Sequence, residues 1–293
     1  MFFLVLLYYF FDKDEVADYL LRYAERFDIP VRTSSGISSV ERDGQHFELR
    51  GGATKLEASN VVIATGAFQT ARIPEIAQRV TPEIVQLHSS HYRSQWALPD
   101  GPVLVVGAGN SGAQIALELS RTRKVWLAGR DTGHLPRRFL NRDIMKWTWP
   151  LMTRATSDTI LGKRLRRRAR RGGDALIGLS RTAFVTAGIT RLPRVDGIRR
   201  GYPVCGDLIV RPRVVIWATG FEPAFDWLKL PFSRSGGYPV HQRGMVAEVP
   251  GLYFVGLPFQ YRLSSTLLGG VGADAEFVGA QIAARNEETN DQL

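Results

Sequence analysis

The 293-residue chain carries 38 Lys and Arg against 28 Asp and Glu, a formal net charge of +10, with 44% apolar and 23% charged residues. This composition excludes collagen-like, mucin-like, coiled-coil and disordered classes, and the length allows about two domains or one large one. The single cysteine, Cys205, excludes an intrachain disulphide, a CxxC redox pair and a thiolate cage for zinc or an iron–sulphur cluster, and it fits a reducing compartment, so a cytoplasmic location is expected.

The run Met1–Phe11 is apolar but far short of the ~20 residues a spanning helix needs. It also lacks the basic start and small-residue cleavage site of a secretory signal, and no other stretch is long enough to span a bilayer. Val16, Tyr19, Leu20, Tyr23, Ala24 and Phe27 recur at helical spacing and predict a helix over Lys13–Phe27, opened by a capping box of Asp12 and Glu15. After Pro30, alternation from Val31 to Val40, an Asp43-Gly44 turn and Phe47 to Leu49 predict a β-hairpin. Val61–Ala64 reads as a further strand that ends in Thr65-Gly66.

From Pro102 the period changes. Val103–Val106 reads as a buried strand, Gly107-Ala108-Gly109-Asn110-Ser111-Gly112 as a glycine turn, Ala113–Leu119 as a helix and Lys124–Ala128 as the next strand, which together make a βαβ unit. Beyond it a helix is expected over Ile160–Arg171, with β-like pieces at Ala183–Val185 and Ile189–Leu192. Strands follow at Val214–Ala218 and Leu252–Val255, and a last helix starts near Gly270–Ala273 and runs towards Arg285.

The glycine turn lies where phosphate binding needs it, directly after an apolar strand and opening a helix. Gly107 permits the tight turn, Gly109 lets a pyrophosphate approach the backbone, and Gly112 allows close packing of helix on strand, while the helix start supplies N–H groups and positive potential. Asn110 and Ser111 sit within this turn. An NAD site usually places Asp or Glu at the end of the following strand, where it accepts a hydrogen bond from the ribose 2′-OH. Here Arg130 follows Leu127-Ala128-Gly129, and a guanidinium suits a 2′-phosphate, which favours NADPH; the alternative is a solvated surface arginine. Arg137 and Arg138 are either reinforcements of that site or plain solvated charges.

Two tripeptides echo each other. Ala64-Thr65-Gly66 and Ala218-Thr219-Gly220 each close a strand of β-branched residues, a sequence that lets the chain turn away beside a bound dinucleotide or simply make a sharp exit. Together with the glycine turn, Gly251-Leu252-Tyr253-Phe254-Val255-Gly256 and Leu268-Gly269-Gly270-Val271-Gly272, their order resembles the class B flavoprotein monooxygenases, from about Asp12 to the C-terminus. The similarity is closest to bacterial members labelled flavin-containing monooxygenase or flavoprotein involved in K+ transport.

The resemblance implies an α/β fold of two Rossmann-like dinucleotide-binding domains, with an NADPH domain at 94–213 inserted in an FAD domain made of 1–93 and 214–293. Ala64, Thr65, Gly66, Ala218, Thr219, Gly220, Gly256, Gly270, Val271 and Gly272 would then join Gly107, Gly109, Asn110, Ser111, Gly112 and Arg130 as cofactor-binding positions. The implied activity is transfer of hydride from NADPH to FAD and insertion of one O2 oxygen into a small organic substrate through a C4a-hydroperoxyflavin. No catalytic residue or general base is legible, and no metal site is expected. His88 fits the last position of the family's F-x-G-x-x-x-H signature, although Pro82 and Ile84 stand where Phe and Gly would be; a structural histidine is the equal alternative.

The family's own first strand, G-x-G-x-x-G turn and helix for the FAD pyrophosphate have no counterpart ahead of Asp12, where the run Met1–Phe11 stands instead. Phe2–Tyr9 is expected to fill part of the resulting gap, the alternative being a fragment or a mis-started reading frame; FAD binding is left open on this point. A chain that binds NADPH without redox chemistry is the second functional reading, and a disulphide reductase is disfavoured because Cys205 alone supplies no dithiol. Asp274 and Glu276 read as capping charges of the last helix. The basic block Lys163–Arg171 reads best as a solvated helix face; without interleaved aromatics no nucleic-acid partner is expected, and contact with a membrane surface stays open.

Overall fold

A computed structural model of the chain describes residues 13–139, 142–169 and 176–290. Asp12, the run Met1–Phe11 with its gap-filling strand, and Arg170 and Arg171 lie outside the described residues. In chain order the elements used below are helix α1 (Lys13–Arg26), strands β1 (Ser39–Asp43), β2 (His46–Gly51), β3 (Thr54–Ala58), β4 (Val61–Ile63), β5 (Thr70–Ala71), β6 (Val85–His88) and β7 (Val103–Val106), and helix α2 (Asn110–Leu119). They continue as β8 (Val125–Ala128), helices α3 (Ile144–Arg154), α4 (Ile160–Ala169) and α5 (Arg181–Thr186), β9 (Thr190–Leu192), β10 (Val214–Trp217), β11 (Phe221–Glu222), β12 (Leu252–Phe254) and helix α6 (Gly272–Asn290).

The chain forms two compact units: one takes the described residues of Met1–Ala67, Met145–Arg166 and Pro223–Leu293, the other Phe68–Ile144 and Arg167–Glu222. The second unit is built on a parallel five-stranded sheet of order β9-β8-β7-β10-β6. All four residues of β7 and all four of β10 are buried, as a sheet covered on both faces requires. Alternate residues separate into two core layers. Val103, Val105 and Ile216 pack with Ala113, Ala116 and Leu119 of α2 and Phe184 of α5, whereas Leu104, Val106, Val215 and Trp217 pack with Ala77, Ile84 and Cys205.

This sheet takes in β6 and β10, two strands that the sequence division at 94 and 213 leaves outside it. The runs Val61-Val62-Ile63 and Val214-Val215-Ile216 look alike as letters; hydrogen bonding sends the first to β12 in one unit and the second to β7 in the other. The β-like reading of Ala183–Val185 is corrected: these residues are helical in α5, because Ser180 Oγ accepts from Ala183 N at 3.2 Å and starts a helical turn that buries Phe184.

In the first unit β1, β2 and β3 form an antiparallel meander, and β4 pairs in parallel with β12. Strand pairing begins at Ser39, later than the alternation from Val31 suggests, and β3 carries no clear strand signal because Thr54–Ala58 alternates half-buried with exposed charged residues. Val40, Phe47, Val61, Ile63, Leu252 and Phe254 make the core with Phe225 and Leu228. Helix α1 forms where the periodicity predicts it, yet Tyr19, Leu20 and Tyr23 each stay 47% exposed.

Truncation at the centre of the parallel sheet is expected to be costly. Ile216→Ala removes a fully buried side chain and should lower unfolding free energy by about 2–5 kcal/mol. Val62→Ala, at a 41% exposed position, should cost under about 1 kcal/mol; urea titration of the two variants checks the order.

Candidate functional site

Strand β7 ends at the glycine turn, beside the end of β10. Gly107 N donates to Ala128 O at 2.8 Å and Ala218 N donates to Val106 O at 2.7 Å, so the turn is hung between β8 and β10. Gly107 has φ +111°, and a side chain there would place Cβ 2.1 Å from Ala218 O. A Cβ on Gly112 would stand 1.9 Å from Gly107 O, whereas one on Gly109 would meet nothing within 4 Å. The three glycines therefore differ: Gly107 and Gly112 are required by internal packing, and Gly109 keeps an open space free. Gly109 is also the N-cap of α2 and offers no side-chain acceptor to the first amides of that helix. Open space, and a helix start that no side chain of its N-cap covers, fit a phosphate.

Asn110 and Ser111 part company. Asn110 Oδ1 accepts from Ile177 N at 3.3 Å and ties down a neighbouring segment, while Ser111 is exposed.

At the end of β8, Arg130 is exposed, and among the described residues no carboxylate pairs with it. Asp131, which the sequence reading passed over, is the acidic residue that an NAD site would use. Its Oδ1 accepts from Gly133 N at 2.9 Å and its Oδ2 forms an ion pair with Arg181. The Gly133 N–H and then the Arg181 guanidinium hold its carboxyl below the usual range. The signal that would have exposed it is the Asp-x-Gly spacing of Asp131 and Gly133, typical of a side chain that bonds its own turn. Arg191 of β9 donates to Gly129 O at 3.3 Å beside it. Arg137 stands 4.0 Å from Asp143, and Arg138 lies in a two-residue ladder with Arg142–Asp143.

The two echoing tripeptides occupy equivalent strand exits in separate units. Gly66 and Gly220 are both left-handed, at φ +71° and +84°. Thr219 Oγ1 donates to Arg72 O, Arg72 Nε donates to Thr219 O at 3.2 Å, and Gly220 O accepts from Arg72 N at 3.0 Å. In the first unit Ala64 and Thr65 are exposed at the end of β4, next to a cavity of about 460 Å³ lined by Ile37, Val40, Leu49 and Trp227.

Gly256 and Gly272 have nothing within 4 Å of a built Cβ, but Gly270 packs against Ser264, whose backbone oxygen would be 2.2 Å from that Cβ. Val271 is half-buried just before α6. Asp274, in the first turn of α6, is 1% exposed, and burial raises its pKa against the opposing hydrogen bond from Ser265, whereas Glu276 is exposed. Lys163 and Arg164 of the basic block are exposed on α4. Among the described residues no group of three or more His, Cys, Asp or Glu is placed to hold a metal, and no helix is long and apolar enough to cross a membrane.

Residues 8–160 match the family described as pyridine nucleotide-disulphide oxidoreductase. The chain is 37% identical to an uncharacterized CzcO-like oxidoreductase of Geobacillus kaustophilus, over 91% of its own length and 76% of that protein's. The chain belongs to this oxidoreductase family. Its fold is that of the flavin monooxygenases. A flavin-containing monooxygenase from Stenotrophomonas maltophilia superposes with a TM-score of 0.67 at 24% identity, covering 92% of this chain and 77% of the other. OTEMO, crystallised with FAD and NADP, gives 0.62 at 14% identity, over 96% and 72% of the two chains.

The disulphide in the family's description has no dithiol here. Cys205 is the single cysteine of the sequence, is 2% exposed, and burial, with Asp196 adding to it, pushes its thiol up to about 11. At pH 8 about one thiol in a thousand is then ionised. Ellman's reagent should leave the native chain unlabelled over minutes and label it fully in denaturant; immediate reaction of native protein would contradict this burial.

Proposed function

We propose that this oxidoreductase is an NADPH-dependent flavoprotein of monooxygenase type, acting on a small organic substrate and O2. The unit Phe68–Ile144 with Arg167–Glu222 takes the pyridine nucleotide, and the pieces on either side of it in sequence contribute to an FAD domain. The observation that carries the reading is the open space at Gly109, in front of uncapped amides at the start of α2. Phosphate oxygens arriving there find N–H donors and positive helix potential without displacing any side chain.

Coenzyme choice follows from charge. Asp131 already accepts from Gly133 and pairs with Arg181, which leaves it a weaker partner for a ribose hydroxyl than an unbonded acid. Arg130 is exposed beside it, and a guanidinium matches the geometry and charge of a 2′-phosphate. Ala218, Thr219 and Gly220 would turn the neighbouring strand away from the dinucleotide.

For FAD, the residues that fit lie at the exits of β4 and β12 and at the start of α6: Ala64, Thr65, Gly66, Gly256, Val271 and Gly272. The backbone at Gly256 and Gly272 has open space before it, and the N-terminus of a 19-residue helix favours the negative charge of a reduced flavin ring. Gly270 stands apart, its missing side chain being needed by Ser264. NADPH and FAD, when bound, supply hydride transfer and O2 activation. The chain's part is to orient the two groups and exclude water, and the name of OTEMO, bound to FAD and NADP, supports that pairing.

Three measurements test this. Purified chain should show flavin absorbance; a colourless chain that still binds NADP+ would favour a binding module. Gly109→Ala should leave stability within about 1 kcal/mol yet weaken NADP+ binding about tenfold or more, because its Cβ enters the space left for phosphate. Arg130→Asp should erode the preference for NADPH over NADH by about ten- to a hundredfold, the worth of a charged hydrogen bond; an unchanged preference would refute the 2′-phosphate role.

A further inference from the structure

His88 ends β6 and is 1% exposed, the one histidine among the described residues that is fully buried. Its Nδ1 lies 3.1 Å from Ser90 N, which as an amide can only donate. Nδ1 is therefore unprotonated, and the ring proton sits on Nε2, which donates to Gly220 O at 2.9 Å. Ser90 Oγ is 2.9 Å from the same Nδ1, and the Phe221 ring closes edge-on over the imidazole at 5.0 Å. The tautomer and the ring plane are both fixed.

Gly220 is the last residue of the turn that backs the glycine turn. From outside, His88 Nε2 and Arg72 N converge on Gly220 O, and the Arg72 guanidinium holds Thr219 O. On the inside, Ala218 O stands against Gly107 so closely that no Cβ fits between them. A continuous line of contacts thus runs from His88 through Gly220 and Ala218 to Gly107.

We propose that His88 is a positioning residue for the coenzyme turn: as the neutral Nε2–H imidazole it clasps Gly220, keeps Ala218 pressed on Gly107, and releases that hold when the ring takes a second proton. This rests on the reading of the Gly107 turn as the NADPH site. In the imidazolium, Nδ1–H would face the Ser90 N–H, donor against donor, and the charge would be buried, while the Arg72 guanidinium on the adjoining peptide is exposed. His91, in the turn after β6, adds like charge; Phe221 presents only an apolar ring, and the following Glu222 is exposed.

Burial, the largest influence, keeps the imidazole below its ordinary pKa; the Gly220 carbonyl opposes it and His91 reinforces it. A group with a lowered folded pKa contributes its full stabilisation above the unfolded value of about 6.5 and loses it as pH falls below. The clasp should be whole at neutral pH and weaken in acid.

The test compares the full chain with His88→Gln, which keeps a donor towards Gly220 but does not titrate. NADP+ affinity is measured by calorimetry at about pH 8 and at the lowest pH at which circular dichroism shows both proteins folded. The 2′-phosphate of NADP+ titrates in both samples, so the ratio of the two affinities isolates His88. Acid should weaken the natural chain about fivefold more than His88→Gln, the worth of one neutral hydrogen bond; affinities that fall in parallel would overturn the proposal. If neither protein binds NADP+ at either pH, the coenzyme reading fails, and the clasp is decided by exchange of the Arg72 amide. Exchange faster in the natural chain than in His88→Gln at that acid pH, but equal at about pH 8, would uphold it, and equal exchange at both would overturn it.

Discussion

The structure of the second unit depends on one constraint: β7, β10 and α2 approach so closely at the glycine turn that two side chains must be missing. Gly107 faces Ala218 O and Gly112 faces Gly107 O, each at a separation no Cβ tolerates. That contact places the start of α2 directly over the ends of the two central strands, and this placement leaves the first amides of the helix facing outward at a point where the strand order reverses. In a doubly wound parallel sheet such a reversal is where ligands bind. The turn is thus a packing device and, in the function proposed for it, a phosphate site, and only Gly109 is spared the first duty.

That division was partly legible in the letters. Val103–Val106 and the six residues after it give strand, turn and helix, because an unbroken apolar run, three spaced glycines and an Ala-rich segment each act locally. Asn110–Leu119 begins a turn of helix earlier than the apolar pattern indicates, since glycine and asparagine at its start carry no periodic signal. Non-local facts were out of reach. Nothing in Val214–Trp217 says that it lies beside Val103–Val106 across more than a hundred residues, and nothing in Asp131 says that Arg181 will neutralise it. Ala183–Val185 misled because its β-prone residues were outweighed by the Ser180 cap and by Phe184 seeking the core.

The repeated Ala-Thr-Gly illustrates how the same letters serve different surroundings. At Ala218–Gly220 the tripeptide is bonded on several sides, to Arg72, to His88 and against Gly107. At Ala64–Gly66 the first two residues are exposed beside an apolar cavity. A sharp, left-handed strand exit is what both share, so the tripeptide alone encodes the exit; what it supports is decided by neighbours that the sequence does not place next to it.

Charge around the end of β8 completes the picture of selectivity. Arg130, Arg181 and Arg191 are all contributed by segments that meet there, and Asp131 is the acid that pairs with Arg181 among them. Had Asp131 been unbonded, its carboxylate would compete with Arg130, repelling a 2′-phosphate while attracting a 2′-hydroxyl. One oxygen takes the Gly133 amide and the other the Arg181 guanidinium, so its negative charge is partly offset locally at an edge that also carries Arg130 and Arg191. A chain with ten more bases than acids has many arginines on its surface, most of them uninformative. The one assigned to the coenzyme in the proposed function, Arg130, is distinguished by its neighbour: an acid that already bonds Gly133 and Arg181.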